Sequence, residues 1–394
     1  MIEKAPSLRS DIIKHLYYKN SLSLAQLSKL STKSLPLVTK VVNELIADGY
    51  IKDQGLAQST GGRRASLFLL NPLMQKYIVS VAMDQFTTRM AIYDLSRTIV
   101  FPTKTLELII PGEAKAVDKL VAFIEENIKA SGIDIEKILG VGIGIPGFID
   151  VEEGINNSHL RAKDGEPLGK YMLGKLRLPI FMDNDSSLIA LAELNFGAAV
   201  GKQDVMVANI GWGTGLGMIV NGKLYRGSSG YAGEFSHIPL SKTNNLCSCG
   251  KRGCLEVETS LLVMTERAKE EIKNGAATSM TQLFKENGRN VGEIFLEAAS
   301  NHDPLAVSIL SDAAFLIGKG LATLIHIMNP ERIVLSGRGA IAGKILLPSV
   351  QQAVNEFCIP RIAEQTTIVV SELAADAELL AAASLVIENT QFDE

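Results

Sequence analysis

Three cysteines and one histidine lie close together in the chain, as His237, Cys247, Cys249 and Cys254, in the spacing H-x9-C-x-C-x4-C. Three thiolates and an imidazole suit a closed, tetrahedral, structural Zn2+ site, and the interleaved Gly250 and Gly253 let backbone wrap tightly round an ion. The competing reading, three unrelated buried cysteines, fits this clustering poorly. Glu234 and Glu256 flank the group, so a metal clamp would fix both carboxylates beside its ligands. Cys358 stands apart and reads as a small buried side chain.

A second group is Asp183-Asn184-Asp185, which follows the short apolar run Ile180-Phe-Met182. Strand ends are where α/β folds place ligands, and an amide with two carboxylates can hold vicinal hydroxyls or, through an Asp, take a proton from one. Helix capping is the alternative for either acid. Glu234, His237 and Glu256 add acceptors of the kind a polyol needs. The loop Gly211-Trp-Gly-Thr-Gly215 has the small residues and the hydroxyl, Thr214, of a phosphate cradle, although such turns also serve tight packing. Its would-be partner, the hairpin tip Asp84-Gln85-Phe86-Thr87-Thr88, has no glycine.

The elements that must position these groups follow from periodicity. Leu8, Ile12, Ile13, Leu16 and Tyr17 recur at helical spacing; Ser23 and Gln26 form a capping box for a short second helix to about Leu30; a turn spans Ser31 to Lys33. A third helix starts near Ser34, tolerates Pro36 in its first turn, turns Leu37, Val38, Val41, Val42, Leu45 and Ile46 inward, and ends at Gly49. Tyr50-Ile51-Lys52 and Ala65 to Leu70, joined through Gly61-Gly62-Arg63-Arg64, read as a two-stranded wing. Helix, short helix, tight turn, helix and wing is the pattern of a winged helix-turn-helix. It would present Ser34, Leu35, Thr39, Lys40 and Asn43 to a major groove, and Arg63 and Arg64 to phosphates or a minor groove. A small helical protein-interaction module is the alternative.

Beyond Asn71-Pro72 the pattern changes to strands at Tyr77–Met83, Arg89–Tyr93 and Thr98–Phe101, an amphipathic helix from Val117 to Ala130, and a buried strand Ile138–Ile145. A hairpin, helix, strand and loop recur from Met206 to Val220 and Arg332 to Ser336, with helices between 259 and 330 and an Ala-rich helix from Ala375 to Glu388. The repetition predicts a duplicated α/β core. Three domains are expected: residues 1–72, the head; 77–194 with 376–394, a small lobe; and 195–375, a large lobe holding the cysteine cluster.

Charge follows the same division. The chain carries −4 overall, yet residues 1–76 hold 11 Lys and Arg against 5 Asp and Glu, +6, leaving −10 on the remainder. A basic head on an acidic body points to a polyanion as partner of the head alone. With 46% hydrophobic and 21% charged residues the chain reads as an ordinary globular protein. No signal segment and no apolar run long enough for a bilayer are expected, and thiols kept for metal fit a reducing compartment, the cytoplasm.

Together these residues resemble the ROK family of sugar kinases and transcriptional repressors, whose body is the two-lobed, actin-like ATPase fold of ribonuclease H-like topology. The likeness covers nearly everything after Lys76, and the winged helix is what the repressor branch adds. The resemblance implies Zn2+ on His237, Cys247, Cys249 and Cys254, and a sugar held by Asn184, Asp185, Glu234, His237 and Glu256 with Gly147 lining the pocket. In the kinases Asp185 takes the place of the catalytic base, and ATP with Mg2+ would fall to Asp84, Thr88, Gly213, Thr214, Gly215, Gly337 and Gly339. The kinases carry D-x-G-G-T in the first phosphate loop, where this chain has Phe86 and Thr87, and a phenylalanine ring there should exclude a phosphate. A further departure is His159 with Arg161-Ala-Lys-Asp, where kinases place an Asn and an aromatic that read the sugar. The expectation is a sugar-responsive regulator, a repressor by resemblance, acting as a homodimer or homotetramer on operator DNA. The alternative is a working sugar kinase with an accessory DNA-binding head.

Overall fold

The computed structural model describes residues 7–56, 65–110, 113, 115–158, 160–162, 165–285, 290–373 and 377–392. The head opens with α1 (Leu8–Lys19), capped by Ser7, then β1 (Ser21–Ser23), α2 (Leu24–Ser31) and α3 (Leu35–Ala47). The capping box forms in full, Ser23 accepting from the Gln26 amide while the Gln26 side chain accepts from the Ser23 amide. Thr32 in the left-handed region ends α2, and Gly49 at φ +83° turns the chain after α3. β2 (Ile51–Leu56) and β3 (Ser66–Leu70) pair antiparallel in a sheet of order β1-β3-β2. Arg63 and Arg64 lie outside the described residues.

The inward face of α3 differs from the expectation. Only Val38, Val42 and Leu45 are buried, whereas Leu37 and Ile46 are exposed. Six apolar side chains cover more than one face of a 13-residue helix, and α1 and α2 cover only the Val38-Val42-Leu45 stripe.

Two five-stranded sheets follow with one topology. In the first, β4 (Tyr77–Met83), β5 (Thr87–Asp94) and β6 (Ile99–Glu107) form an antiparallel meander. After α4 (Ala116–Ser131), β7 (Ile138–Ile145) returns parallel to β4. The small pair β8 (Ile149–Asp150) and β9 (Ile155–Asn156) precedes α5 (Leu168–Leu176) and β10 (Ile180–Asn184), giving the order β10-β7-β4-β5-β6. In the second sheet, α6 (Asp185–Phe196) leads into the meander β11 (Val205–Ile210), β12 (Thr214–Val220) and β13 (Lys223–Leu224). A helical stretch comes next: α7 (Glu256–Thr259), α8 (Leu261–Lys273), α9 (Met280–Leu283), α10 (Val291–Ser300) and α11 (Pro304–Met328). Then β14 (Arg332–Ser336), α12 (Gly343–Phe357), α13 (Pro360–Ala363) and β15 (Thr367–Val370) complete the order β13-β12-β11-β14-β15, and α14 (Ala377–Asn389) closes the chain. The meander plus parallel returns in each sheet is the duplicated α/β core read from the sequence.

The chain divides into two compact units, residues 1–183 with 379–394, and 184–378. The first is built on Val79, Val81, Met90, Ile92, Leu120, Ile124, Val141 and Ile143, with α14 pressed so closely on β7 that a Cβ at Gly142 would overlap the Ala382 carbonyl. In the second, Ile189, Ala190, Val205, Val207, Ile219 and Val334 bury the sheet against α6. Among the described residues one helix, α11, is 25 residues long and apolar enough to cross a membrane by length and composition alone. Its most apolar window is 61% buried and it packs along α12, as a core helix does.

Candidate metal centre and its carboxylate wall

The cysteine cluster is built on a tight, glycine-dependent turn. Gly250 and Gly253 stand at φ +85° and +75°, conformations that L side chains resist. The Gly250 amide donates to the Cys247 carbonyl, the Cys247 amide to Lys251, and the Gly253 amide to Asn245. One ligand atom from each of His237, Cys247, Cys249 and Cys254 lies within 4.8 Å of all the others. Cys249 Sγ and Cys254 Sγ are 3.6 Å apart, and Cys247 Sγ is 3.6 Å from His237 Nδ1. With Zn–S bonds of about 2.3 Å the edge of a tetrahedron is about 3.8 Å, so these two 3.6 Å separations are close to those such an ion would impose. Burial pushes the Cys247 thiol up and the Cys254 thiol up to about 12. A bound metal removes that penalty by stabilising the thiolates.

His237 presents Nδ1 to the cluster, leaving Nε2 3.7 Å from Glu234 Oε2. Glu256 approaches from the other side, its Oε2 3.7 Å from Cys247 Sγ and 4.0 Å from His237 Nδ1. Burial pushes the Glu234 carboxyl up, His237 opposing and Glu256 adding to the shift. A desolvated carboxylate gains from hydroxyl donors, which is what a polyol supplies. Glu234 and Glu256 thus lie one against each ring nitrogen of His237.

Asn184 and Asp185 sit where β10 gives way to α6. Asn184 is the N-cap, its Oδ1 accepting from the Ser186 and Ser187 amides at 2.9 and 3.2 Å. Asp185 Oδ1 accepts from the Ser186 amide at 2.8 Å, and its Oδ2 lies 3.4 Å from Asn209 Nδ2. Both side chains thus cap one helix start, where the dipole also favours a carboxylate. The position of α6 is set by β12: a Cβ on Gly215 would overlap Ser186, and one on Gly217 would overlap Ala190. Asn209 and Ser186 steer Asp185 and were not read from the sequence, because only the β11 and α6 pairing brings them there.

The nucleotide residues fare differently. In the first unit the Asp84 carboxylate accepts from the Phe86 and Thr87 amides at 2.8 and 2.7 Å and from the Thr87 hydroxyl at 2.8 Å. The amides that a phosphate would need are taken by a side chain of the same turn, and Thr88 is buried behind it. Gly147, at φ +103°, follows β7 in that unit. In the second unit Gly213 lies against Glu256 Oε1, Gly337 against Asn209 and Gly339 against Ile210. The first loop, its amides already taken by Asp84, does not fit ATP with Mg2+.

A profile of the ROK family matches residues 84–389. The chain belongs to the ROK family. Within it, the chain is 27% identical over 383 residues to the xylose repressor of Caldicellulosiruptor bescii, covering 96% of this chain and 94% of that protein. It is 28% identical over 321 residues to a glucokinase of Halalkalibacterium halodurans, covering 80% of this chain and 96% of the kinase. Among solved structures, a ROK family transcriptional regulator, homolog of the E. coli MLC protein, aligns over 97% of this chain and 96% of its own at TM-score 0.76 and 24% identity. A ROK glucokinase from Streptomyces griseus, in complex with glucose and AMPPNP, aligns over 78% of this chain and 98% of its own at TM-score 0.66 and 27% identity. Repressors match the ROK chain nearly end to end, while the part unmatched by kinases is about the length of the head.

Proposed function

We propose that this ROK chain is a sugar-responsive transcriptional repressor. The observation that carries the reading is the end-to-end match with repressors, head included; the self-satisfied turn at Asp84 supports it. The winged helix binds operator DNA through Ser34, Leu35, Thr39, Lys40 and Asn43 on α3, with Arg63 and Arg64 on phosphates or a minor groove. Ser34, Leu35, Lys40 and Asn43 are exposed, which is compatible with that role. A sugar or sugar derivative is held by Asn184, Asp185, Glu234, His237 and Glu256. Zn2+ on His237 Nδ1, Cys247, Cys249 and Cys254 braces that wall and leaves Nε2 to the ligand side. The protein works in the cytoplasm as a homodimer or homotetramer, so that two heads meet two half-sites.

The sugar changes operator affinity only by its difference in affinity between the DNA-competent state and the other state. Titration of labelled operator fragments with and without xylose, glucose and N-acetylglucosamine tests the proposal. Salt-sensitive, sequence-selective binding that one sugar weakens is the expected result, and its absence overturns the repressor reading. The glucokinase relatives and the retained Asp185 keep one second reading in play. ATP consumption with a hexose that disappears in Asp185→Asn would establish it.

A further inference from the structure

The glycine loop Gly211–Gly215 has features that a phosphate cradle does not require. Its Gly211 amide donates to the Gly213 carbonyl within the loop at 2.9 Å, and its Gly211 carbonyl accepts from the Leu261 amide at 3.0 Å. A Cβ at Gly213 would come within 2.9 Å of Glu256 Oε1. The Glu256 carboxylate therefore packs directly on the Gly213 backbone, in the space that a side chain there would take. A carboxylate beside that backbone is also the charge a phosphate would avoid.

Thr214 and Thr259 complete the link. Both are buried, at 3% and 0% exposure, and their hydroxyls are 2.9 Å apart. Each hydroxyl has one proton, and Thr259 spends its own on the Leu255 carbonyl at 3.0 Å. Thr214 must then be the donor in the pair. Leu255 is anchored in turn by its amide, which donates to the Ile238 carbonyl at 2.9 Å. It stands between the cluster residue Cys254 and Glu256. The hydroxyl relay from loop to Leu255 thus reaches the residue whose neighbours are a thiol of the metal knot and a carboxylate of the wall.

We infer that the loop Gly211–Gly215 is a positioning element of the sugar site, in which the Thr214–Thr259 hydroxyl pair and the side-chain-free face of Gly213 hold Glu256 in place. The inference rests on the sugar-binding reading above and reassigns Gly213 and Thr214 from a nucleotide to the sugar wall. Thr214 and Thr259 are positioning residues: they act through Leu255 and Glu256.

Ligand binding and hydrogen exchange test it. Thr214→Val keeps the shape and removes the donor, so the dissociation constant for the responsive sugar should rise about tenfold, and Thr214→Ser should restore it. In a Glu256→Ala background the same Thr214→Val change should add little, because both act on one carboxylate. Wild-type sugar affinity in Thr214→Val, or full additivity with Glu256→Ala, overturns the inference. So does binding of AMPPNP by the wild type that Thr214→Val abolishes, since that outcome returns the loop to phosphate. Hydrogen exchange reads the brace without any sugar: the amides of Leu255 and Leu261 should exchange faster in Thr214→Val than in the wild type, and unchanged exchange overturns the brace. A wild type that binds none of the sugars sinks the function proposed above, and the exchange measurement still decides whether the loop holds this turn.

Discussion

Glu193 has no exposure to solvent, yet it is a carboxylate, and three segments converge on it. Oε1 accepts from the Ser336 hydroxyl at 3.0 Å and from the Ser371 hydroxyl, while Oε2 accepts from the Ala198 amide at 2.9 Å. A Cβ on Gly197 would overlap that carboxylate. Glu193 lies two turns along α6 from Asp185, so it anchors the far end of the helix that Asn184 caps. Glu193→Ala leaves buried donors without an acceptor and should lower stability by about 3 kcal/mol, with a smaller loss for Glu193→Gln, as read by denaturant unfolding. Asp303 gives a pH test. Burial opposes its ionisation, but donors from Ser279, Ala306 and Thr278 outweigh burial and hold the carboxyl below its ordinary value. A depressed folded pKa contributes stability above the unfolded value, about 3.9, and loses it as pH falls through the folded one. Asp303→Asn should therefore flatten the acid limb of the stability profile between about pH 5 and pH 2. At the metal knot, metal analysis should find about one equivalent of zinc per chain, with Cys249→Ser losing most of it. The clustering of these four side chains was legible because they are neighbours in sequence. Asn209, Thr259 and Glu193 were not, because each acquires its partner only when strands and helices meet.

The elements were legible where periodicity and capping agreed. The Ser23–Gln26 box, β4, β7 and β14 emerge as the sequence reads, whereas β6 runs on to Glu107 because pairing with β5 extends it past its apolar start. The four-residue β15 gives no signal of its own and is defined by its parallel partner β14. The role of α14 was legible only as close packing. Its end also fastens the head: Tyr18 donates to Glu388 at 2.6 Å, Lys14 Nζ reaches the Glu388 carbonyl at 2.5 Å, and Arg9 Nε donates to the Phe392 carbonyl at 2.6 Å. The Phe392 amide donates to Ser10 Oγ at 3.0 Å, and its ring, 2% exposed, meets Tyr50 edge-on at 5.9 Å. Removing that ring by Phe392→Ala should cost about 3 kcal/mol, all of it at the seat of the head. The expected outcome is an early melting step confined to the head and cleavage near residues 71–76 in limited proteolysis. A single unchanged transition would show that the other contacts suffice.

At the scale of the molecule, charge decides how the chain meets DNA. Residues 1–76, the head with the residues that follow it, carry +6 and the remainder −10, so attraction must act over short range through the head while the body repels the duplex beyond it. At physiological salt the Debye length is about 8 Å, which screens much of the body's repulsion and preserves direct phosphate contacts. Low salt, which strengthens both terms, should sharpen the dependence on each cation at the DNA surface. Each phosphate contact that releases a counterion contributes about −0.9 to the slope of log K against log salt. Lys40 is a weaker candidate for such a contact, since Glu44 lies 3.8 Å from its ammonium and offers it an alternative partner. Arg63→Ala and Arg64→Ala should therefore each flatten the slope by about 1 on every sequence tested, and Lys40→Ala by less. Asn43→Ala should instead leave the slope unchanged and relax preference among operator variants, because a neutral amide reads base edges. Operator titrations at several salt concentrations, on matched and scrambled fragments, separate the two behaviours. An Asn43→Ala protein with a changed slope and intact preference would move the reading surface away from α3.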